Sequence, residues 1–95
     1  MNLTDNHPKE KALSVFPLFK GQESSVTSLQ ILENGHLKEH LTKTPAMLVC
    51  VTGEVVFENE KGHNQTLSSG DYIQIEPMVK HWVNGVKDSQ LLLFK

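Results

Sequence analysis

Five histidines and one cysteine are the side chains of this 95-residue chain whose types invite chemistry near neutral pH. Imidazole and thiol can move a proton, attack a substrate or hold a metal there. They stand as His7, His36, His40, Cys50, His63 and His81. Their spacing matches no zinc-finger pattern, and no Ser-His-Asp order or phosphate-cradling glycine loop accompanies them. Cys50 lies inside the apolar run Ala46-Met47-Leu48-Val49-Cys50-Val51, with no neighbour in sequence to lower its pKa. It reads as a small buried hydrophobe, not a nucleophile. His63 falls in a hairpin loop and His7 in a polar N-terminal stretch, so both read as surface residues. His36 has the parity of His40 but adjoins the turn at Gly35. His40 and His81 remain, and their worth depends on the elements that place them.

Those elements read as strands. From Ser14 onward, short runs rich in β-branched and apolar residues alternate with turn residues, the texture of an all-β domain. Ser14 to Phe19 is one run, and Pro17 confines it to an edge. Ser25 to Leu32 is a second; Val26, Leu29 and Leu32 also fit a helical face, but every neighbouring segment reads as strand. Ala46 to Val51 is apolar at every position, which means cover on both faces. Turns are expected at Thr52-Gly53, at Asn59-Glu60-Lys61-Gly62 and at Ser68-Ser69-Gly70-Asp71. With Glu54 to Glu58, Gln65 to Leu67, Tyr72 to Ile75, Val79 to Val83 and Gln90 to Phe94, about nine short strands are expected in a sandwich or closed barrel. Residues 1–12 read as a loose arm or edge segment before a single domain over 13–95.

Composition narrows the partners. The chain is 38% apolar and 21% charged, with a formal net charge of −2. All its basic residues are lysines and none form a run, which argues against a nucleic-acid or anionic-membrane surface. One cysteine allows no intrachain disulfide. No stretch approaches the ~20 apolar residues of a membrane helix, and the first residues carry no secretory pattern, so a cytoplasmic setting is expected.

Two segments, together about half the chain, resemble the cupin family. The first runs Gly35-His36-Leu37-Lys38-Glu39-His40-Leu41-Thr42, then Ala46, then Val51-Thr52-Gly53-Glu54-Val55. It is similar to a motif in which glycine precedes a His-x-His pair, a Glu follows, and a second glycine closes the turn. The second runs Gly70-Asp71-Tyr72-Ile73-Gln74-Ile75-Glu76-Pro77 on to His81 and Asn84. It resembles a Gly-Asp turn, a strand, a proline turn, a His and an Asn. Glu76 and Met78 stand where Pro and Gly are usual. The resemblance implies a double-stranded β-helix, or jelly roll, holding a small ligand at its open end. Many members bind a divalent metal there through three His and one Glu. Here His40 matches the first His and His81 the His of the second motif, whereas Thr42 and Ala46 stand at the other two positions. At most a weakly held divalent metal on His40 and His81 is implied.

Strand alternation agrees with a pocket. His40 and Thr42 share a face, and Ala46, Leu48 and Cys50 share one beyond the Lys43-Thr44-Pro45 break. Together His40, Thr42, Cys50 and His81 sketch a small, mostly apolar cavity suited to a modest organic ligand. Both imidazoles should prefer the neutral form there, and Trp82 should point the opposite way from His81. The expected function is a small monocupin that binds an organic ligand. The alternatives are a metal-dependent dioxygenase or isomerase, and a structural module with a vestigial pocket. A homodimer is expected as well. Met47, Val49 and Val51 need cover, from a second copy or from the strand around Phe16 and Phe19.

Overall fold

In the computed structural model, which describes residues Met1–Lys95, the apolar runs form seven strands. They are β1 (Leu13–Lys20), β2 (Ser25–Ile31), β3 (His36–His40), β4 (Ala46–Asn59), β5 (Asn64–Ser68), β6 (Tyr72–Ile75) and β7 (His81–Phe94). The only helical turn is a 3₁₀ turn over Leu3–Asn6, closed by a capping box between Asn2 and Asp5. Every strand pairing is antiparallel.

Two 14-residue strands, β4 and β7, organise the rest by pairing with each other along their length. Each divides its other edge between two partners. β4 takes β6 along Ala46–Val49 and β5 along Glu54–Glu58. β7 takes β3 near His81–Asn84 and β2 along Ser89–Phe94. The result is two layers, β1-β2-β7-β4-β6 and β3-β7-β4-β5, that share the long strands and close around one core.

Nine strands were expected and seven form, because the turn expected at Thr52-Gly53 is a bulge inside β4. The register with β7 slips at Cys50/Thr52, Thr52/Glu54 and Glu54/Val55. An extra residue in one strand bends it and changes which parity faces inward. Ala46, Leu48 and Cys50 are buried before the bulge, and Val55 and Phe57 after it. Gly53 takes φ +95°, and a Cβ there would collide with the Ser89 hydroxyl and the Asp88 carbonyl. Likewise the segments Val79–Val83 and Gln90–Phe94 are halves of β7, joined through Gly85, where a Cβ would strike the Leu32 carbonyl.

Other expectations hold. Ser25–Ile31 is strand, and β1 is an edge strand, its register broken between Pro17 and Phe19. No helix is long and apolar enough to cross a membrane. His7 differs from the surface residue expected. It is buried, with Nδ1 2.7 Å from the Ser14 hydroxyl and Nε2 2.9 Å from that of Ser28. Pro8 and Lys11 carbonyls accept from the Gln30 amide, so the N-terminal segment lies over polar residues on the outer face of the first layer.

Candidate functional site

β3 is short and polar, and it pairs only with the first half of β7. Its register slips between Leu37 and His40, which sets His40 directly opposite His81. The two rings meet edge to face, centroids 4.2 Å apart at 60°. On its other side His81 stacks on Phe57 at 5.6 Å and 21°. His81 is 3% exposed, and His40 is half-buried. His36 is not drawn in: its ring is exposed and its Nδ1 lies 2.6 Å from Asn84 Oδ1.

Each ring of the pair donates its Nδ1–H to a backbone carbonyl, His40 to Lys38 at 3.1 Å and His81 to Val79 at 3.4 Å. A carbonyl can only accept, so the proton sits on Nδ1, and Nε2 of the neutral ring is an acceptor. Burial pushes the His81 imidazole below its ordinary value, helped by His40 and Lys95 and opposed by the Val79 carbonyl. His81 Nε2 has no hydrogen-bond partner within the protein. The one buried side-chain polar atom left without a partner is Gln90 Oε1, so His81 Nε2 is open to an adjoining space.

That space is a cavity of about 120 Å³. Its lining combines apolar Phe57, Ile73, Ile75 and Val79 with polar Asn59, His63, Gln74, Glu76 and His81. His63 is exposed, as expected, and also lines the cavity. The Asn59 side chain accepts from the Lys61 and His63 amides and folds the β4–β5 hairpin back over the opening. Lys61 then reaches Glu76 at 2.8 Å across the mouth, and the Lys80 amide donates to Glu60. Sequence spacing gives no hint of this, because the hairpin and the β6–β7 turn meet only through the fold.

Thr42 and Cys50 sit elsewhere. Thr42 is buried, but its hydroxyl donates to the Thr44 carbonyl at 2.8 Å and its carbonyl accepts from Met78 N–H. Cys50 is fully buried in the core beside Leu91, its partner on β7, and does not line the cavity. Burial first, then the charges of Asp71 and Glu54, push its thiol up, so it stays protonated. Trp82 points outward and donates to Glu58 at 2.7 Å.

No protein-family model and no curated protein matches this sequence. Solved structures do match along almost its whole length. A cupin superfamily protein from Desulfitobacterium hafniense DCB-2 superposes with TM-score 0.86 at 12% identity, over 98% of this chain and 84% of that one. An RmlC-like cupin from Methanocaldococcus jannaschii, described as a double-stranded β-helix, gives 0.79 at 12% identity over 94% and 84%. A conserved protein of unknown function from Streptococcus pyogenes gives 0.84 at 17% identity over 99% and 82%. The chain has the cupin fold.

The metal associated with that fold is not matched by the donors here. Cupin metal sites take three His and one Glu, and here two of those positions hold Thr42, whose hydroxyl donates to backbone, and Ala46, which has no donor. No three His, Cys, Asp or Glu side chains gather closely enough to hold an ion. Two imidazoles alone fall short of the three or four protein ligands that a firm site uses. What this chain offers at its mouth is a neutral histidine acceptor, the Asn59 amide, a lysine-paired carboxylate and an apolar wall.

Proposed function

We propose that this cupin binds a small hydroxylated organic molecule in the cavity beside His81. The observation carrying the reading is His81 itself: the ring is buried, yet its Nε2 has no internal partner. Because Nε2 opens onto the cavity, a donor placed there, from a water or a ligand, satisfies it. With the proton held on Nδ1, Nε2 asks for a donor, which a hydroxyl supplies and a carboxylate does not. The Asn59 amide keeps its N–H₂ as a donor while its oxygen accepts from Lys61 and His63, and Phe57 and Ile75 give the carbon skeleton an apolar wall. A volume of about 120 Å³ equals about four waters of liquid, which suits a glycerol-sized polyol or hydroxy-carbonyl compound. No arginine is present to grip an anion. The lone buried thiol of Cys50 needs no oxidising compartment, which suits the cytoplasm.

Calorimetric titration with short polyols and hydroxy-carbonyl compounds tests the reading, beside metal analysis of the purified protein. Saturable binding by such compounds, lost in His81→Phe, supports it. An absence of binding across the set, or equal binding by His81→Phe, rejects it and leaves the structural module. Stoichiometric tightly held metal would favour the metal-dependent enzyme.

A further inference from the structure

Six asparagines stand in the chain, and two of them, Asn34 and Asn84, precede glycine. Asparagine before glycine is open to attack from within, because no Cβ on the next residue keeps its backbone nitrogen from the side-chain carbonyl. The fold lays the two pairs against each other, where the turn from β2 to β3 meets the middle of β7. Asn34 N–H donates to the Gly85 carbonyl at 2.9 Å, and Gly85 N–H donates to the Gly35 carbonyl at 2.8 Å. Both glycines are buried, so reaction at either waits for a local opening of the backbone.

The two openings break different things. Asn34 is exposed at φ +65°, and no partner holds its side-chain amide. The attacking nitrogen there, Gly35 N, is tied only within its own turn, to the Leu32 carbonyl at 2.7 Å. The strand that follows is the short, polar β3, which pairs along one edge alone. Asn84 lies inside β7 with both edges occupied, His36 of β3 opposite it on one side and Val56 of β4 on the other. Its Oδ1 is held 2.6 Å from His36 Nδ1, and Gly85 is wedged between Val55 and the Leu32 carbonyl. Freeing Gly85 N parts the strand that organises both layers, an opening close to global unfolding. Freeing Gly35 N undoes one turn at the sheet edge.

We propose that Asn34-Gly35 is a site of spontaneous conversion to isoaspartate in the folded protein, whereas the fold shields Asn84-Gly85. Gly35 N bonds to Asn34 Cγ, the Cγ–NH₂ bond breaks, and ammonia leaves with the proton of the glycine amide. Solvent water then opens the cyclic imide at either carbonyl, giving aspartate or isoaspartate. The isoaspartyl product runs the backbone through the side chain and adds a methylene to the turn. The turn has no slack for it, since even a Cβ on Gly35 would strike the Ala12 and Leu32 carbonyls. Either product also sets a carboxylate beside Glu33, whose N–H already donates to Asp88 Oδ1 at 2.9 Å. Both changes fall at the head of β3, the strand that brings His40 opposite His81.

The test is peptide mapping by mass spectrometry after the intact chain has aged in warm, mildly alkaline buffer, with and without urea. In the folded protein Asn34 should convert at least tenfold faster than Asn84, with isoaspartate among the products. In urea, where neither pair is held, the two should convert at similar rates. Asn34→Gln should remove the folded-state signal. Asn34→Asp carries the new charge without the added methylene, so the isoaspartyl fraction, separated by chromatography, should melt below it. Equal folded-state rates at Asn34 and Asn84, or an Asn34 that converts in urea and stays intact in the folded chain, would overturn the proposal. An isoaspartyl fraction that melts with Asn34→Asp would overturn the strain placed on β3.

Discussion

His40 and His81 face each other as cross-strand partners on β3 and β7, their ring centroids 4.2 Å apart. A bulge in β3 makes this pairing, and the His40 ring packs against His81 without itself lining the cavity. His81 is thereby held between two rings, His40 and Phe57, and it has a structural role as well as an exposed acceptor.

The two roles separate by substitution. His81→Ala empties a buried position and removes both ring contacts, so it should cost about 2–3 kcal/mol of stability. His81→Phe keeps the ring and deletes Nε2, so it should cost less than about 1.5 kcal/mol. Denaturant unfolding gives both numbers. Equal losses in the two variants would mean that a polar contact, not packing, dominates at this position.

Stability should fall on mild acidification. Burial holds the His7 imidazole below its ordinary value, and burial with His40 does the same for His81. The unfolded chain then takes up protons before the folded one. The stability these neutral rings provide is complete above the unfolded value of ~6.5 and is lost as pH drops through their lower folded values. Melting temperatures from pH 7.5 to 5 should decline, and His7→Gln should flatten part of the slope. A flat wild-type profile over that range would contradict the burial of both rings.

Much of this fold could be read from side-chain type. Pro17 marked β1 as an edge, the unbroken run at Ala46–Val51 marked a strand, although only its Ala46, Leu48 and Cys50 face is buried, and the two glycine-flanked motifs pointed to the cupin barrel and to His40 and His81. What escaped depends on contacts distant in sequence. Thr52-Gly53 looks like a turn until Ser89 is known to lie against it. His63 is exposed, as its loop position suggests, but that it also lines the cavity shows only once the hairpin is seen at the mouth, where Lys61 pairs with Glu76. His7 looks loose because its partners, Ser14 and Ser28, are ordinary strand serines seven and 21 residues away.

Gly53 should be intolerant of any side chain. Its φ of +95° already disfavours an L-residue, and the new Cβ would collide with Ser89 and Asp88 on β7. Gly53→Ala should cost about 2–4 kcal/mol, the sum of backbone strain and overpacking. Because the bulge sets which parity of β4 faces the core, the loss should appear as reduced cooperativity as well as a lower midpoint. A near-neutral Gly53→Ala would mean that the two long strands can slide to make room.

Met78 should show the opposite behaviour. It occupies φ +65°, a left-handed conformation that costs an L-residue about 1–2 kcal/mol, and its side chain is 62% exposed, with little packing to offset that. The conformation is imposed from outside: Met78 N–H donates to the Thr42 carbonyl at 2.8 Å, tying the β6–β7 turn to the β3–β4 connection beside the cavity. Glycine, which the resembling motif carries at this position, adopts that φ without strain. Its greater freedom in the unfolded chain takes back about 0.5–1 kcal/mol. Met78→Gly should therefore stabilise the fold by about 0.5–1 kcal/mol. Met78→Val, β-branched at the same positive φ, should destabilise it by at least as much. Thermal melts of the three proteins side by side settle the order, and a wild type more stable than Met78→Gly would show that the methionine side chain makes a contact worth more than the strain.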